Sequence, residues 1–369
     1  MQTLAADVDK GGNRRVRVNE QVQDAGKSGT EHALPAGGVA ALSAISLPSS
    51  LARAGLDRLL VYRIRLKHRF RRIEVRDGLL VHGAAGWGEC SPFWDYDPVE
   101  SSEWLRAGLE AATQELPRGD RDGIPVNVTV PVVDPAEAAE LVRDSGGCTT
   151  AKVKVADPRS ELRDDCARVE AVRDALGPSG RIRVDANGAW GVEQAISAIR
   201  ELDAAAGGLE YAEQPCPDVA ELAAVRRSVV VPIAADESIR RAEDPLAVAR
   251  AEAADVIIIK AQPLGGVRRA LDLVDRAGLP AVVSSALDSS VGLGVAAHLA
   301  SALPVLNHAC GLATLELFCG DVSSTPLSPE DGTLEVRRAE VDVPIEQDVP
   351  EDLCRRWADR LEQMCAVLE

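Results

Sequence analysis

An α/β protein, built as a closed (β/α) barrel with an α+β capping domain, is the fold this sequence predicts, on three observations. Eight short apolar strands recur from Pro125 onward, at 126–130, 150–155, 181–187, 209–215, 232–238, 256–263, 281–287 and 307–313. Helical segments such as 160–176, 191–203, 218–228, 243–252 and 266–276 separate them. That alternation argues for a parallel sheet, and eight strands argue for its closure. No Gly-x-Gly-x-x-Gly follows the first strand, which disfavours an open doubly wound sheet.

The segments outside the barrel follow in order. Residues 1–48 are rich in Gly, Ala, Ser and charge without a sustained period, and are expected to be a flexible, dispensable extension. Within them, 37–47 has the composition of a short helix. Strands at 59–66 and 70–81, the run Gly86-Trp87-Gly88-Glu89 and a helix at 98–116 make 49–124 the first part of an α+β capping domain. The barrel occupies 125–314. A strand at 333–343 and a helix at 350–368 bring 315–369 back to the cap.

With 369 residues and 46% hydrophobic content, the chain can bury a large core. A net charge of −17 argues against nucleic acid and anionic membrane as partners, and asks for local positive charge wherever an anionic small molecule binds. The eight cysteines show no Cys-x-x-Cys spacing, and a chain this long needs no disulfide staples. They read as reduced thiols of a cytoplasmic protein. No apolar run approaches the ~18 residues of a membrane span, and the start lacks a secretory signal.

The chemistry lies in the lysines. Only six occur among 41 basic residues, yet Lys152, Lys154 and Lys260 all stand in apolar barrel strands. Arginine holds its proton at any ordinary pH, whereas a desolvated lysine can release it. Lysine at these places therefore points to proton transfer. Catalytic groups of a barrel come from the C-terminal ends of its strands. Lys152 and Lys154 lie two apart and face inward together, as do Arg183, Asp185 and Asn187. Glu213, Asp236 and Lys260 follow, and then Ser284 and Ser285. Asp185, Glu213, Asp236 and Lys260 are separated by 28, 23 and 24 residues, roughly one βα unit each, so they share one mouth. Convergent carboxylates repel one another unless a cation sits between them. Oxygen donors without His or Cys point to Mg²⁺, or Mn²⁺ in its place. A metal flanked by lysines suits removal of a proton α to a carboxylate, with the enediolate charge stabilised as it forms. Glu237 follows Asp236 directly and is expected to face away from it, in support of the site or as a partner for a lysine; were Glu237 the ligand instead of Asp236, the site would shift but the chemistry would stand. Among the isolated histidines His82, His298 and His308, only His308 has a claim on the pocket.

The runs Lys152-Val153-Lys154, Asp185-Ala186-Asn187, Glu213-Gln214-Pro215, Asp236-Glu237-Ser238 and Ile259-Lys260-Ala261 resemble the enolase superfamily in its muconate-lactonizing-type branch. Phe70-Arg71-Arg72-Ile73, Gly86 to Phe93, Arg183, Ser284-Ser285 and Cys310 to Thr314 are similar to the o-succinylbenzoate synthase family of the actinobacterial type. The resemblance implies a modified (β/α)7β barrel and a Mg²⁺-dependent syn-dehydration of 2-succinyl-6-hydroxy-2,4-cyclohexadiene-1-carboxylate for menaquinone synthesis. It implies Asp185, Glu213 and Asp236 as metal ligands and Lys154 as the base that later returns its proton to the departing water. Lys260 would stabilise charge from the opposite side, and Lys152 would keep Lys154 deprotonated. Arg183 and Asn187 would orient polar groups at the metal, and Ser284 and Ser285 would meet the succinyl tail. Phe70 and Arg71, in a positively charged loop of the cap, are expected to close over the anionic substrate. The same residues serve relatives that racemise N-succinylamino acids, epimerise dipeptides or cycloisomerise muconate.

Overall fold

The computed structural model describes residues 40–70, 73–242, 244–343 and 349–369. The capping domain opens with β1 (Ala40–Ala44), α1 (Ser49–Arg53), β2 (Leu56–Phe70), β3 (Ile73–Gly83), β4 (Gly86–Cys90) and α2 (Pro98–Thr113). The four strands form one antiparallel sheet in the order β1-β2-β3-β4. Helix α2 packs on this sheet chiefly through β4 and β3. Asp97 caps α2 by accepting the Glu100 N–H at 2.8 Å, ahead of Pro98 in the first turn. Gly88 lets β4 approach that helix: a Cβ there would sit 2.2 Å from the Gly108 carbonyl oxygen.

The barrel strands are β5 (Gly123–Val130), β6 (Thr150–Lys154), β7 (Arg181–Asp185), β8 (Tyr211–Glu213), β9 (Ile233–Ala235), β10 (Val256–Ile259), β11 (Ala281–Val283) and β12 (Cys310–Ala313). Between them run α3 (Pro135–Arg143), α4 (Leu162–Leu176), α5 (Val192–Ala206), α6 (Val219–Arg226), the short pair α7 (Glu237–Arg240) and α8 (Ala247–Arg250), α9 (Val267–Ala277) and α10 (Ser290–Ala302). All eight strands are parallel, in the order β11-β10-β9-β8-β7-β6-β5-β12. The ring closes between β11 and β12 through the single bridge Ser284–Gly311. A helix follows each of the first seven strands but not β12, which gives the (β/α)7β form. After it, β13 (Thr333–Glu335) pairs antiparallel with the start of β5, and α11 (Glu351–Leu368) returns to the cap. There Arg360 donates to the carbonyls of Pro92, Phe93 and Tyr96, at 3.1, 2.6 and 3.1 Å.

Three expectations change, the first being the strand expected over 333–343, which is confined to Thr333–Glu335. The segment expected as a short helix over 37–47 contains β1, paired with β2 from Ala40↔Ile64 to Ala44↔Leu60. Its Ala41 and Leu42 are each 1% exposed. The expected extension 1–48 therefore contributes a buried strand; its first 39 residues lie outside the described ones. Truncation at residue 48 is now expected to lower the melting temperature by several degrees, because it uncovers the β2 edge and removes Leu42 from the core. Calorimetry of the truncated chain checks this. The single helix expected at 243–252 is confined to α8, because Pro245 lacks the N–H a helix interior needs.

Candidate active site

The ladder places the charged residues on one level. Lys154, Asp185 and Glu213 are direct neighbours across β6, β7 and β8. Just beyond these strand ends the backbone turns away through left-handed conformations: φ is 63° at Ala156, 48° at Asn187 and 40° at Gln214. Such geometry costs ~1–3 kcal/mol per non-glycine residue and concentrates at functional sites. Asp236 sits one residue past β9, at the start of α7. Gln214 fixes it there by accepting the Asp236 N–H at 2.9 Å and the Ser238 N–H at 3.2 Å.

The side chains interlock. Lys152 Nζ reaches Asp185 Oδ2 and Glu213 Oε1, both at 3.2 Å. Lys154 Nζ donates to Asp185 Oδ2 at 2.5 Å and to Asn187 Oδ1 at 2.9 Å. Lys260 Nζ donates to Asp236 Oδ2 at 2.6 Å, and Arg240 Nε to Asp236 Oδ1 at 3.1 Å. The three carboxylates are at most 1% exposed and the three lysines at most 8%. Burial alone would push Asp185 up, but Lys154 and Lys152 reverse this and hold it well below the usual carboxylate range. Burial would likewise lower Lys152, yet Glu213 and Asp185 raise it, so it stays charged. Glu213 behaves differently: burial and the neighbouring Asp185 push it up to about 7 despite Lys152.

Burial is the larger cause of that rise, and the like charge of Asp185 adds to it. Among the described residues, no group of three His, Cys, Asp or Glu side chains is gathered closely enough to chelate an ion as it stands. Lysine ammonium groups bridge or hold the carboxylates instead. In donor chemistry, however, Asp185, Glu213 and Asp236 fit a hard divalent cation: they are oxygen-only, buried and carried by successive strand ends.

Lys152, Lys154 and Lys260 line one narrow cavity of about 20 Å³ together with Phe70, Thr129, Ser284, Ser285, Ala286, Leu287 and Thr314. That is room for one or two waters, so side chains must part to admit a larger molecule. A larger cavity of about 300 Å³ lies between the loops that follow β6 and β7; Asp157 and Asp165 line it, but none of the three lysines nor Asp185, Glu213 or Asp236 does. Phe70 stands at the end of β2 with Lys154 Nζ 5.4 Å from its ring centre. Arg71 lies outside the described residues. Glu237 begins α7 and accepts from Asn187 Nδ2 at 3.2 Å and from Arg240, a supporting place at the mouth.

Arg183 is elsewhere. It is 0% exposed and faces inward as expected, but its guanidinium turns toward the N-terminal end of the ring. There it binds Glu210, Tyr211 Oη at 2.8 Å, Asn127 Oδ1 at 3.3 Å and the Ala309 carbonyl at 2.9 Å. It closes the bottom of the barrel and does not line the cavity. His308 belongs to the same bottom layer, its Nδ1 3.0 Å from Glu210 Oε1. Cys90 and Cys216 are buried packing residues. Thr129, Thr314, Gln214 and Arg240 escaped the sequence reading. Thr129 was within reach, since it alternates with Asn127 on β5 and so faces inward; its buried hydroxyl has no partner among the described residues. Gln214 stands inside the run Glu213-Gln214-Pro215, and Arg240 follows Asp236 and Glu237 by four and three residues, a helical spacing that could have announced it.

Comparison with known proteins supplies the family. Residues 134–340 match the enolase C-terminal domain-like family and residues 61–112 the enolase N-terminal domain-like family. The o-succinylbenzoate synthase of Thermobifida fusca is 60% identical over 280 residues, covering 76% of this chain and 87% of that protein. The o-succinylbenzoate synthase of Mycolicibacterium smegmatis is 50% identical over 308 residues, covering 83% and 94%. Among solved structures, the dipeptide epimerase of Enterococcus faecalis complexed with Mg and the dipeptide L-Leu-L-Tyr superposes with a TM-score of 0.64. It is 23% identical, covering 78% of this chain and 98% of that one, a likeness of fold.

Proposed function

Because the chain belongs to the o-succinylbenzoate synthases of the enolase superfamily, we propose that it dehydrates 2-succinyl-6-hydroxy-2,4-cyclohexadiene-1-carboxylate to 2-succinylbenzoate, a step toward menaquinone. The observation that carries this reading is the set of three buried lysines and three buried carboxylates on adjacent strand ends, the lysines all facing one cavity. The substrate is a small anion, and Lys152 and Lys260 bring positive charge to the cavity of an otherwise acidic protein. We place the enzyme in the cytoplasm, where its eight thiols, all free, stay reduced.

Asp185, Glu213 and Asp236 would hold Mg²⁺. Once bound, it supplies Lewis-acid stabilisation of the negative charge that builds on the substrate carboxylate. The chain's own groups do the rest. Lys154 takes the proton from the carbon α to the carboxylate. The C–O bond to the leaving hydroxyl then breaks, and Lys154 returns the same proton to it, so that water departs and the ring becomes aromatic. Lys152, kept charged by Glu213 and Asp185, disfavours a second charge on Lys154. Lys260 enters from β10, four strands away around the ring, and offsets developing negative charge. Asn187 holds Lys154 in line through its side-chain oxygen. Ser284, Ser285 and Thr129 offer hydroxyls to the succinyl tail, and Phe70 covers it.

The direct test is an absorbance assay with the cyclohexadiene substrate. Appearance of the aromatic product supports the reading, and an inactive, folded, Mg²⁺-supplied protein refutes it. Phe70→Ala is expected to raise KM several-fold while the Mg²⁺ requirement stays the same; unchanged kinetics would remove Phe70 from the pocket. The metal assignment has a pH signature as well. A carboxylate raised to about 7 in the fold binds protons more tightly there than when unfolded. Its stabilising contribution is full below the ordinary carboxylate pKa and is lost as pH rises through 7. Mg²⁺ needs the ionised form. Added Mg²⁺ should therefore raise the melting temperature more at pH 8 than at pH 6, and an equal rise at both would speak against Glu213 as a ligand.

A further inference from the structure

Helix α4 lies against the outer side of the barrel wall, and its first turns carry a buried ion pair that the chemistry above does not use. Asp165 and Arg168 are 1% and 3% exposed, with Arg168 Nη1 2.7 Å from Asp165 Oδ1. Replacing such a pair by apolar residues of similar volume is often neutral for stability, so its other hydrogen bonds set it apart from a stabilising contact. Arg168 Nη1 also donates to the carbonyl of Lys154 at 3.1 Å. Its Nε donates to the carbonyl of Val133, just past β5, at 2.7 Å. Asp165 Oδ2 accepts the N–H of Ala156 at 2.8 Å, and Oδ1 accepts the Ser160 hydroxyl at 3.1 Å.

These bonds grip the two peptide groups that follow Lys154. The gripped turn includes Ala156 at φ 63°, a conformation that must be held by its surroundings. Behind the turn there is little packing to hold it: Ala156, Asp157, Pro158 and Ser160 line the cavity of about 300 Å³. On the inner side the Val155 N–H donates to the Asp185 carbonyl at 3.1 Å, so the ladder fixes one edge of the turn and the ion pair the other.

We propose that Asp165 and Arg168 are positioning residues for Lys154: a charged clasp, outside the barrel, that sets the direction in which the proton-transferring side chain leaves its strand. This rests on the reading of Lys154 as the base. Neither residue lines the lysine cavity. Each acts through backbone atoms, so loss of the clasp moves Lys154 while the metal carboxylates on β7, β8 and α7 keep their places.

The full-length chain is tested with Arg168→Lys, which keeps the charge but loses the fork that spans two carbonyls, and with Asp165→Asn, which keeps the shape. For both, kcat should fall by about tenfold to a hundredfold, the scale of an ~1 Å misplacement. KM should stay within about twofold of wild type. The rise in melting temperature on adding magnesium chloride should also match wild type. Unchanged kcat in a folded variant overturns the proposal. So does a loss of kcat in which KM and the magnesium-dependent stabilisation deteriorate together, because that describes general loosening of the barrel. If Arg168→Lys does not fold, Asp165→Asn decides by the same criteria. A wild-type chain without dehydratase activity would overturn the functional reading and the clasp with it. An active wild type with unaltered variants overturns the clasp alone.

Discussion

Lys154→Arg is expected to reduce kcat by roughly 10²- to 10⁴-fold, the usual worth of a positioned acid–base group, in a protein that still folds. Arginine keeps the positive charge against Asp185 but cannot shed a proton to become a base. Lys260→Arg forms the contrast. At that position the proposed contribution is charge, so a measurable residue of activity should survive, within the limits set by a bulkier head beside Asp236 and the narrow cavity. Near-UV circular dichroism verifies folding, and the absorbance assay reads turnover. Equal residual rates for the two variants would undo the division of labour. Exchange in D₂O provides an independent check with an N-succinylamino acid. Deuterium entering both enantiomers as fast as dehydration, or faster, would mean that both lysines exchange protons and that racemisation is the main activity.

Removal of the metal is the second large effect. EDTA, Asp185→Asn or Glu213→Gln should each abolish measurable turnover. The charge stabilisation lost is worth several kcal/mol, roughly 10²- to 10⁴-fold in rate. Glu213→Gln separates catalysis from stability. Burial and Asp185 push Glu213 up to about 7, so a neutral amide removes a repulsion that the metal-free fold bears at high pH. The variant should melt at the wild-type temperature or above it at pH 8 without metal, yet remain inactive when Mg²⁺ is restored. Activity in a metal-stripped sample would exclude the carboxylates as a metal site.

Much of this site is legible in the sequence because a barrel converts spacing into position. One βα unit per charged residue places Lys154, Asp185 and Glu213 on adjacent strands, and the ladder pairs them directly. Period two gives the inward direction of Arg183 as well. It does not say toward which end of the barrel a long side chain leans, and Glu210 and the Ala309 carbonyl draw Arg183 to the bottom. Strand β1 shows a different limit. Ala-Ala-Leu-Ser-Ala suits helix and strand alike, and the choice is made by β2, about twenty residues further on. The reach of Arg168 was illegible because the Lys154 and Val133 atoms it bonds are backbone carbonyls of other elements, which carry no residue-type signature.

The C-terminal helix has a consequence for biosynthesis. Trp357, fully buried, donates to Asp77 Oδ1 at 2.7 Å, and Arg360 ties the loop from Pro92 to Tyr96. The cap, begun by β1 to β4, is thus finished by α11, on the far side of the barrel in sequence. The barrel follows the same schedule, for β5 must wait for β12, nearly the whole ring later, before its second edge is paired. Pairings so distant in sequence close slowly. Nascent chains halted before residue 350 should expose the seat of Trp357 and recruit chaperones, and protease resistance should arise only once α11 is free to dock.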